Sequence, residues 1–281
     1  MENIRAGIYE IAAGGHPMTV RQVFYQLSNR GLIEKTEAEY KQTVIRLMGT
    51  MRLDGDLPFE WVADNSRWMR KPRTHSSLKN MLDITARAYR RALWDDQHVY
   101  VEIWLEKEAL SGVVLPVTSQ WDVPLMVTRG YPSLTFLHDA GDILSGEDRE
   151  VYLYYFGDWD PSGLDIARNV QERLIEFSPW ADINFERIAV TPEQVHQWNL
   201  PTRPTKKTDS RSRSFEGASV ELDAIPPDEL RGLVDGCIVQ HIDTDIYDKT
   251  LAAEASEREL LSHWDEILEN YVGDADGGGA A

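Results

Sequence analysis

Residues 150–163 read EVYLYYFGDWDPSG, and this run decides the fold. EVYLYYFGD has the β-branched and aromatic content of a strand, and SGLDIARNVQERLIEF after it has helical patterning. The same alternation extends in both directions. HVYVEIWL, from His98, reads as a first strand, followed by a helical run from Lys107 to about Gln120. VPLMVTRG is a second strand and YPSLTFLHDAGDIL a second helix; INFERIAV is a fourth strand. Strands and helices alternating at these lengths imply an α/β fold, a parallel sheet with helices on its faces. Such sheets place their ligand sites beyond the carboxyl ends of the strands.

Acids stand at two of those ends. Glu106 closes the first strand; Asp158 and Asp160 close the third. Residues two apart in an extended segment point the same way. Carboxylates converging there repel one another unless a cation neutralises them. Mg²⁺ takes one or two carboxylates plus water and phosphate oxygens, the setting of phosphoryl-transfer chemistry. The other reading of the DWDPSG run is a solvated loop of turn-forming Asp and Pro. The second acid, at the end of an earlier strand, favours metal.

The first third of the chain is different. Residues 3–13 read as a short helix that Gly14 and Gly15 interrupt. Thr19 is a good N-cap for VRQVFYQLSNR, stopped by Gly31. Thr36, with Glu39 three residues on, opens a third helix of about four turns. Its Val44, Leu47 and Met48 recur at helical spacing. PFEWVAD, after Gly55, is a short β-prone run. Three helices and a β-ribbon suggest a winged-helix unit. SSLKNMLDITARAYRRALW is a basic amphipathic helix leading to the next domain. The expected organisation is a winged-helix domain with linker helix over 1–95 and an α/β domain with C-terminal helices over 96–272. The tail, 273–281, is expected to be disordered.

Charge divides the same way. Residues 1–94 hold 15 Lys and Arg against 10 Asp and Glu, although the whole chain of 281 residues carries a net charge of −18. A basic front and an acidic remainder suit a DNA-facing region joined to a metal-attracting one. Residues 202–217, TRPTKKTDSRSRSFEG, read as an exposed loop. Its Lys206, Lys207, Arg211 and Arg213 are candidate contacts to DNA backbone; a merely solvated loop is the equal alternative. Cys237 is the only cysteine, which excludes an intrachain disulfide and a cysteine zinc cluster and points to a reducing cytosol. No stretch approaches the roughly 20 apolar residues of a membrane span. The first residues lack the pattern of a secretory signal. A cytoplasmic, nucleoid-associated protein is expected.

LEKEAL, TRGYPSL and GDWDPSGLDIA resemble, in order and spacing, the Toprim domain of the A subunit of type IIB topoisomerases. The meiotic double-strand-break protein belongs to the same group. Glu106 falls on the family's Toprim glutamate, Asp158 and Asp160 on its D-x-D pair. Gly130, Tyr131 and Pro132 fall on its connection between the acidic motifs. In that family a winged-helix (5Y-CAP-like) helix carries an Arg and, four residues later, the nucleophilic tyrosine. Arg21 and Tyr25 in TVRQVFYQL have that spacing, and residues i and i+4 share a helix face. The guanidinium there would contact a phosphate while the phenol approaches phosphorus. A core tyrosine is the competing reading. Lys107 follows Glu106 as in the family, where phosphate contact and an ion pair with a nearby acid are both open. Glu221 and Asp223 are either near the metal or a helix start, the second being the safer reading.

The resemblance spans roughly residues 15–190. Ser133 stands where the family commonly has Asp, and the Arg that usually follows is missing. The chain is shorter than typical A subunits, and no G-x-x-x-x-G-K-[ST] loop occurs in it. The stand-alone mini-A proteins are the most similar members. The resemblance implies Mg²⁺-dependent cleavage of double-stranded DNA by a homodimer, each tyrosine working against the other subunit's metal site. It implies a 5′-phosphotyrosyl intermediate and allows a separate ATPase subunit. Two alternatives stand beside it: a Toprim nuclease using metal-activated water, and a non-catalytic DNA-binding protein.

Overall fold

The computed structural model describes residues 1–63, 74–204, 215 and 218–276, with side chains through His263. By contacts the chain forms two compact units: residues 1–67 with 98–241, and 68–97 with 242–281. This grouping runs across the 95/96 division drawn from element types, because the N-terminal helices share a unit with the sheet.

The first unit begins with α1 (Glu2–Gly15) and α2 (Val20–Asn29). Thr19 caps α2 reciprocally with Gln22, as its sequence position suggests. Thr36 Oγ1 accepts from the Glu39 N–H at 3.1 Å. The following helix is not one regular piece: a π-helical stretch, Glu39–Ile45, runs into α3 (Arg46–Leu53). Ile8, Val23, Leu27, Val44 and Met48 form the apolar interior of these helices. The expected β-ribbon is corrected. Phe59–Trp61 is a single 3₁₀ turn, and Val62 makes one isolated parallel bridge, to Met18. Its aromatic rings are engaged sideways, Trp61 stacked on His16 and Phe59 under Arg52, rather than alternating across a sheet.

The rest of this unit is mixed α/β. Strands β1 (Val99–Leu105), β2 (Leu125–Val127), β3 (Glu150–Phe156) and β4 (Ile183–Ala189) form a parallel sheet in the order β2-β1-β3-β4. Helices α5 (Ser111–Gln120), α6 (Leu134–Ser145), α7 (Pro161–Phe177), α8 (Pro192–Gln197) and α9 (Pro227–Val239) accompany it. Val151, Leu153 and Tyr155 lie on one face of β3 by the two-residue period. They pack, with Trp104, against Leu137, Ala140 and Leu144 of α6 and Ile166, Val170 and Leu174 of α7. Each such buried aliphatic side chain contributes about 1.5–3 kcal/mol. Ser133 caps α6: its Oγ accepts from Phe136 N at 3.2 Å.

Register decides where the site falls. Leu105 is level with Val127 on one side and Phe156 on the other, and Phe156 with Ala189. All four carboxyl ends therefore reach the same edge. The chain leaves β1 for β2 on one side and then crosses to β3 on the other. The strand order thus reverses between β1 and β3, where open parallel sheets leave a crevice.

The second unit pairs α4 (Leu78–Ala88) with α10 (Thr244–Asp276). Glu254 accepts from the Arg91 N–H at 2.8 Å, and Tyr89 donates to Glu257 at 2.7 Å. α10 continues through Asp276, past residue 273 where the disordered tail is expected to start. No described helix is long and apolar enough to cross a membrane.

Candidate functional site

Glu106 and Asp158 extend from β1 and β3, the strands either side of the crevice. Gly157 is what lets them meet: a Cβ there would sit 2.5 Å from Glu106 Oε2 and 2.6 Å from Tyr155 Cε1. Glu106 Oε2 instead accepts from the Asp158 N–H at 3.0 Å. Asp158 Oδ1 accepts from Leu222 N at 2.8 Å and lies 3.0 Å from Lys107 Nζ. Both acids are buried. Burial and then the charge of Asp158 push the Glu106 carboxyl up; burial does the same to Asp158 against the pull of Lys107.

Asp160 has a different position. Its Oδ1 accepts from Gly163 N at 2.8 Å, which makes it the N-cap of α7, with Pro161 in the first turn. Gly163 is required there, since a Cβ would lie 2.3 Å from the Asp158 carbonyl oxygen. Among the described residues no three His, Cys, Asp or Glu side chains close into a set able to hold a metal ion. The structure brings two of the three expected ligands together.

The segment after the basic loop completes the site. Trp159 and Val220 exchange backbone hydrogen bonds at 2.8 and 2.9 Å, which lays residues 219–223 along 158–160. Glu221 is the N-cap residue of a one-turn 3₁₀ helix, Leu222–Ala224, that contains Asp223, as the helix-start reading has it, and both residues also line the cleft. Lys107 Nζ lies 2.7 Å from Asp223, 3.4 Å from Glu221 and 3.0 Å from Asp158. Of the two readings of Lys107, the ion pair is the one observed. Burial opposes its charge, but Asp223, Asp158 and Glu221 together hold its pKa above the usual lysine value.

Arg21 and Tyr25 share a helix face, as their spacing implies, and that face meets Glu221. Arg21 Nε lies 3.3 Å from Glu221 Oε2, and its NH2 3.0 Å from Glu37. Tyr25 is 2% exposed, and its phenol lies close enough to Glu221 to feel its charge. Burial and Glu221 push the phenol above its ordinary pKa, although Arg21 and Lys107 pull it down. Burial works against Glu221's charge, yet Lys107, Arg203, Tyr25 and Arg21 bring its pKa down to about 2. Arg203, bridged to Ser219 by backbone, also contacts Glu221. A cleft of about 610 Å³ opens over Arg21, Tyr40, Glu106, Lys107, Arg129 and Glu221.

Three cations here escape the sequence reading. Arg187 donates to the carbonyls of Gly157 and Asp158 at 3.1 and 2.7 Å, fixing the loop from behind. A charged residue near the end of a buried strand is the signal that would have found it. Arg203 and Lys35 carry no local signal. Lys35 Nζ donates to the carbonyls of Pro201 and Thr202 at 2.6 and 3.1 Å and lies 5.1 Å from the Tyr25 ring centre. Lys206, Lys207, Arg211 and Arg213 lie outside the described residues. Compared with models of known protein families and with curated proteins, the chain matches none.

Proposed function

We propose that this protein cleaves double-stranded DNA at the Glu106–Asp158 edge of the sheet, as a Toprim enzyme similar to the A subunit of type IIB topoisomerases. One observation supports the reading: the buried Glu106 carboxylate at the end of β1 accepts from the backbone of buried Asp158 just after β3, where the strand order reverses, and a cleft opens over Glu106. Glu106 and Asp158 would hold Mg²⁺, with Asp160 beside them. Bound there, the ion would supply a positive charge to phosphate oxygens.

The residues of the chain have separate tasks. Lys107 and Arg21 carry positive charge at the cleft and orient an incoming phosphodiester. Tyr25 supplies the hydroxyl that attacks phosphorus, so that a 5′-phosphotyrosyl bond forms and a 3′-hydroxyl leaves. A phenol of pKa about 10 needs cations to help it ionise, and Arg21 and Lys107 act in that direction. Arg187 keeps the 157–158 backbone in place. The N-terminal helices serve as the face toward DNA. A homodimer pairs each tyrosine with the acids of a second copy, and an ATPase subunit is the partner that would couple cleavage to strand passage.

One observation favours a second reading. Tyr25 is buried, and burial together with Glu221 keeps its phenol from ionising. Hydrolysis by water at the same acids would leave Tyr25 as packing. The test is to incubate the protein with Mg²⁺ and supercoiled plasmid, denature, and look for DNA carried by protein. An adduct lost in Tyr25→Phe supports transesterification. Cutting that survives Tyr25→Phe and fails in Asp158→Asn supports hydrolysis. Binding without cutting, with a partner present or absent, sinks both.

A further inference from the structure

Glu221 is unusual among the acids of the cleft. It is 6% exposed, yet three cations from three parts of the chain converge on its two oxygens. Arg203 contacts Oε1, and Arg21 and Lys107 approach Oε2 at 3.3 and 3.4 Å. A carboxylate has about four lone-pair positions, and cations occupy three of them here. A phosphate group presents the same recognition surface, with negative oxygens that suit forked guanidinium groups and a lysine point charge. The arrangement is also reachable, because Arg21, Lys107 and Glu221 all line the cleft.

We propose that Arg21, Lys107 and Arg203 form a binding site for a phosphate-bearing anion, in which the Glu221 carboxylate is the resident occupant. An incoming phosphate displaces Glu221 from the three cations. Glu221 therefore competes with the ligand and sets the affinity of the site. That the ligand is a DNA phosphodiester rests on the function proposed above. That a phosphate anion binds does not.

The sign of the effect separates this role from packing. The thermal midpoint is measured against sodium tripolyphosphate, with sodium chloride at matched ionic strength as reference, for the unaltered protein and Glu221→Gln. A ligand that binds only the folded state raises the midpoint in proportion to its affinity. Glu221→Gln should start lower, because three cations lose their counter-charge, and should gain more from tripolyphosphate than the unaltered protein. An equal or smaller gain overturns the proposal. Arg203→Gln, altered at a partly exposed side chain, gives an independent test: tripolyphosphate should stabilise it less than the unaltered protein, and an undiminished gain is the overturning result. A fluorescent duplex of arbitrary sequence identifies the source. Binding that tightens about threefold or more in Glu221→Gln assigns the site to nucleic-acid backbone. A gain confined to tripolyphosphate assigns it to small phosphate compounds. Covalent cutting of plasmid with no anion effect sinks this proposal alone; an anion effect without cutting sinks the function alone.

Discussion

The Asp158 backbone N–H donates to Glu106 Oε2 across 3.0 Å, joining the ends of two strands that are neighbours in the sheet but 52 residues apart in the chain. The contact couples the site to the packing of the sheet. A change that disturbs one acid moves the loop that carries the other, and the predictions below use that coupling.

Gly157→Ala places a methyl group 2.5 Å from Glu106 Oε2 and 2.6 Å from the Tyr155 ring. Tyr155 is fully buried and cannot give, and Glu106 can give only by leaving the Asp158 N–H. Overpacking of this kind costs about 1–3 kcal/mol. Urea denaturation should show a lower midpoint with an unchanged slope. An unchanged midpoint would mean that Glu106 does not lie against this loop.

Lys107→Met removes the cation shared by Asp158, Glu221 and Asp223. Breaking a buried ion pair from one side costs roughly 3–5 kcal/mol, because the partners stay buried and charged. Mg²⁺ should restore part of the lost thermal midpoint in this variant, more than it adds to the unaltered protein. Indifference to Mg²⁺ in both proteins would count against Glu106 and Asp158 as a cation site.

Asp160 is read in two ways, as the cap of α7 and as a metal ligand. Asn caps a helix about as well as Asp, whereas Ala does not. Asp160→Ala should lose about 1 kcal/mol of stability, and Asp160→Asn should keep it. If Asp160 also contacts the ion, Asp160→Asn shows a smaller Mg²⁺-induced rise in midpoint than the unaltered protein. Equal rises leave capping as its only task.

Alkaline titration of stability should have two slopes of opposite sign. Burial, then the nearby Arg203, pushes the Lys35 ammonium down to about 8 from 10.5. Between those values the unfolded chain binds a proton that the folded chain lacks, so this group makes stability rise with pH. Tyr25, Tyr100 and Tyr155 are pushed above their ordinary 10.0, chiefly by burial. Above about pH 10 they ionise only after unfolding, and stability falls. Thermal midpoints at a series of alkaline pH values should rise and then drop. Lys35→Met should remove the rise and leave the fall; a rise that persists would show that Lys35 is not its source.

Much of the sheet is legible because local patterning and burial agree there. EVYLYYF and VYVEIWL are near-continuous apolar runs, and strands covered on both faces need such runs. The periodic apolar positions of α6 and α7 match the face they bury. The N-terminal helices are legible in number, through Thr19 and Thr36, but the π-helical stretch before α3 has no local signature. PFEWVAD misleads for a definite reason. Aromatic residues favour strands only when they alternate across a paired surface, whereas here His16 and Arg52 take the rings of Trp61 and Phe59 from other elements.

The candidate site divides along the same line. Sequence alone determined that acids stand at the carboxyl ends of β1 and β3, and that Arg21 and Tyr25 share a helix face, because strand and helix periods are local properties. Tertiary structure decided which groups meet. It made Asp160 a cap, turned Lys107 inward to three carboxylates, and delivered Glu221, with Arg203 beside it, to Arg21 from 200 residues away in the chain. Ionic partners are chosen by distance in space, and no local pattern of residue types encodes that distance.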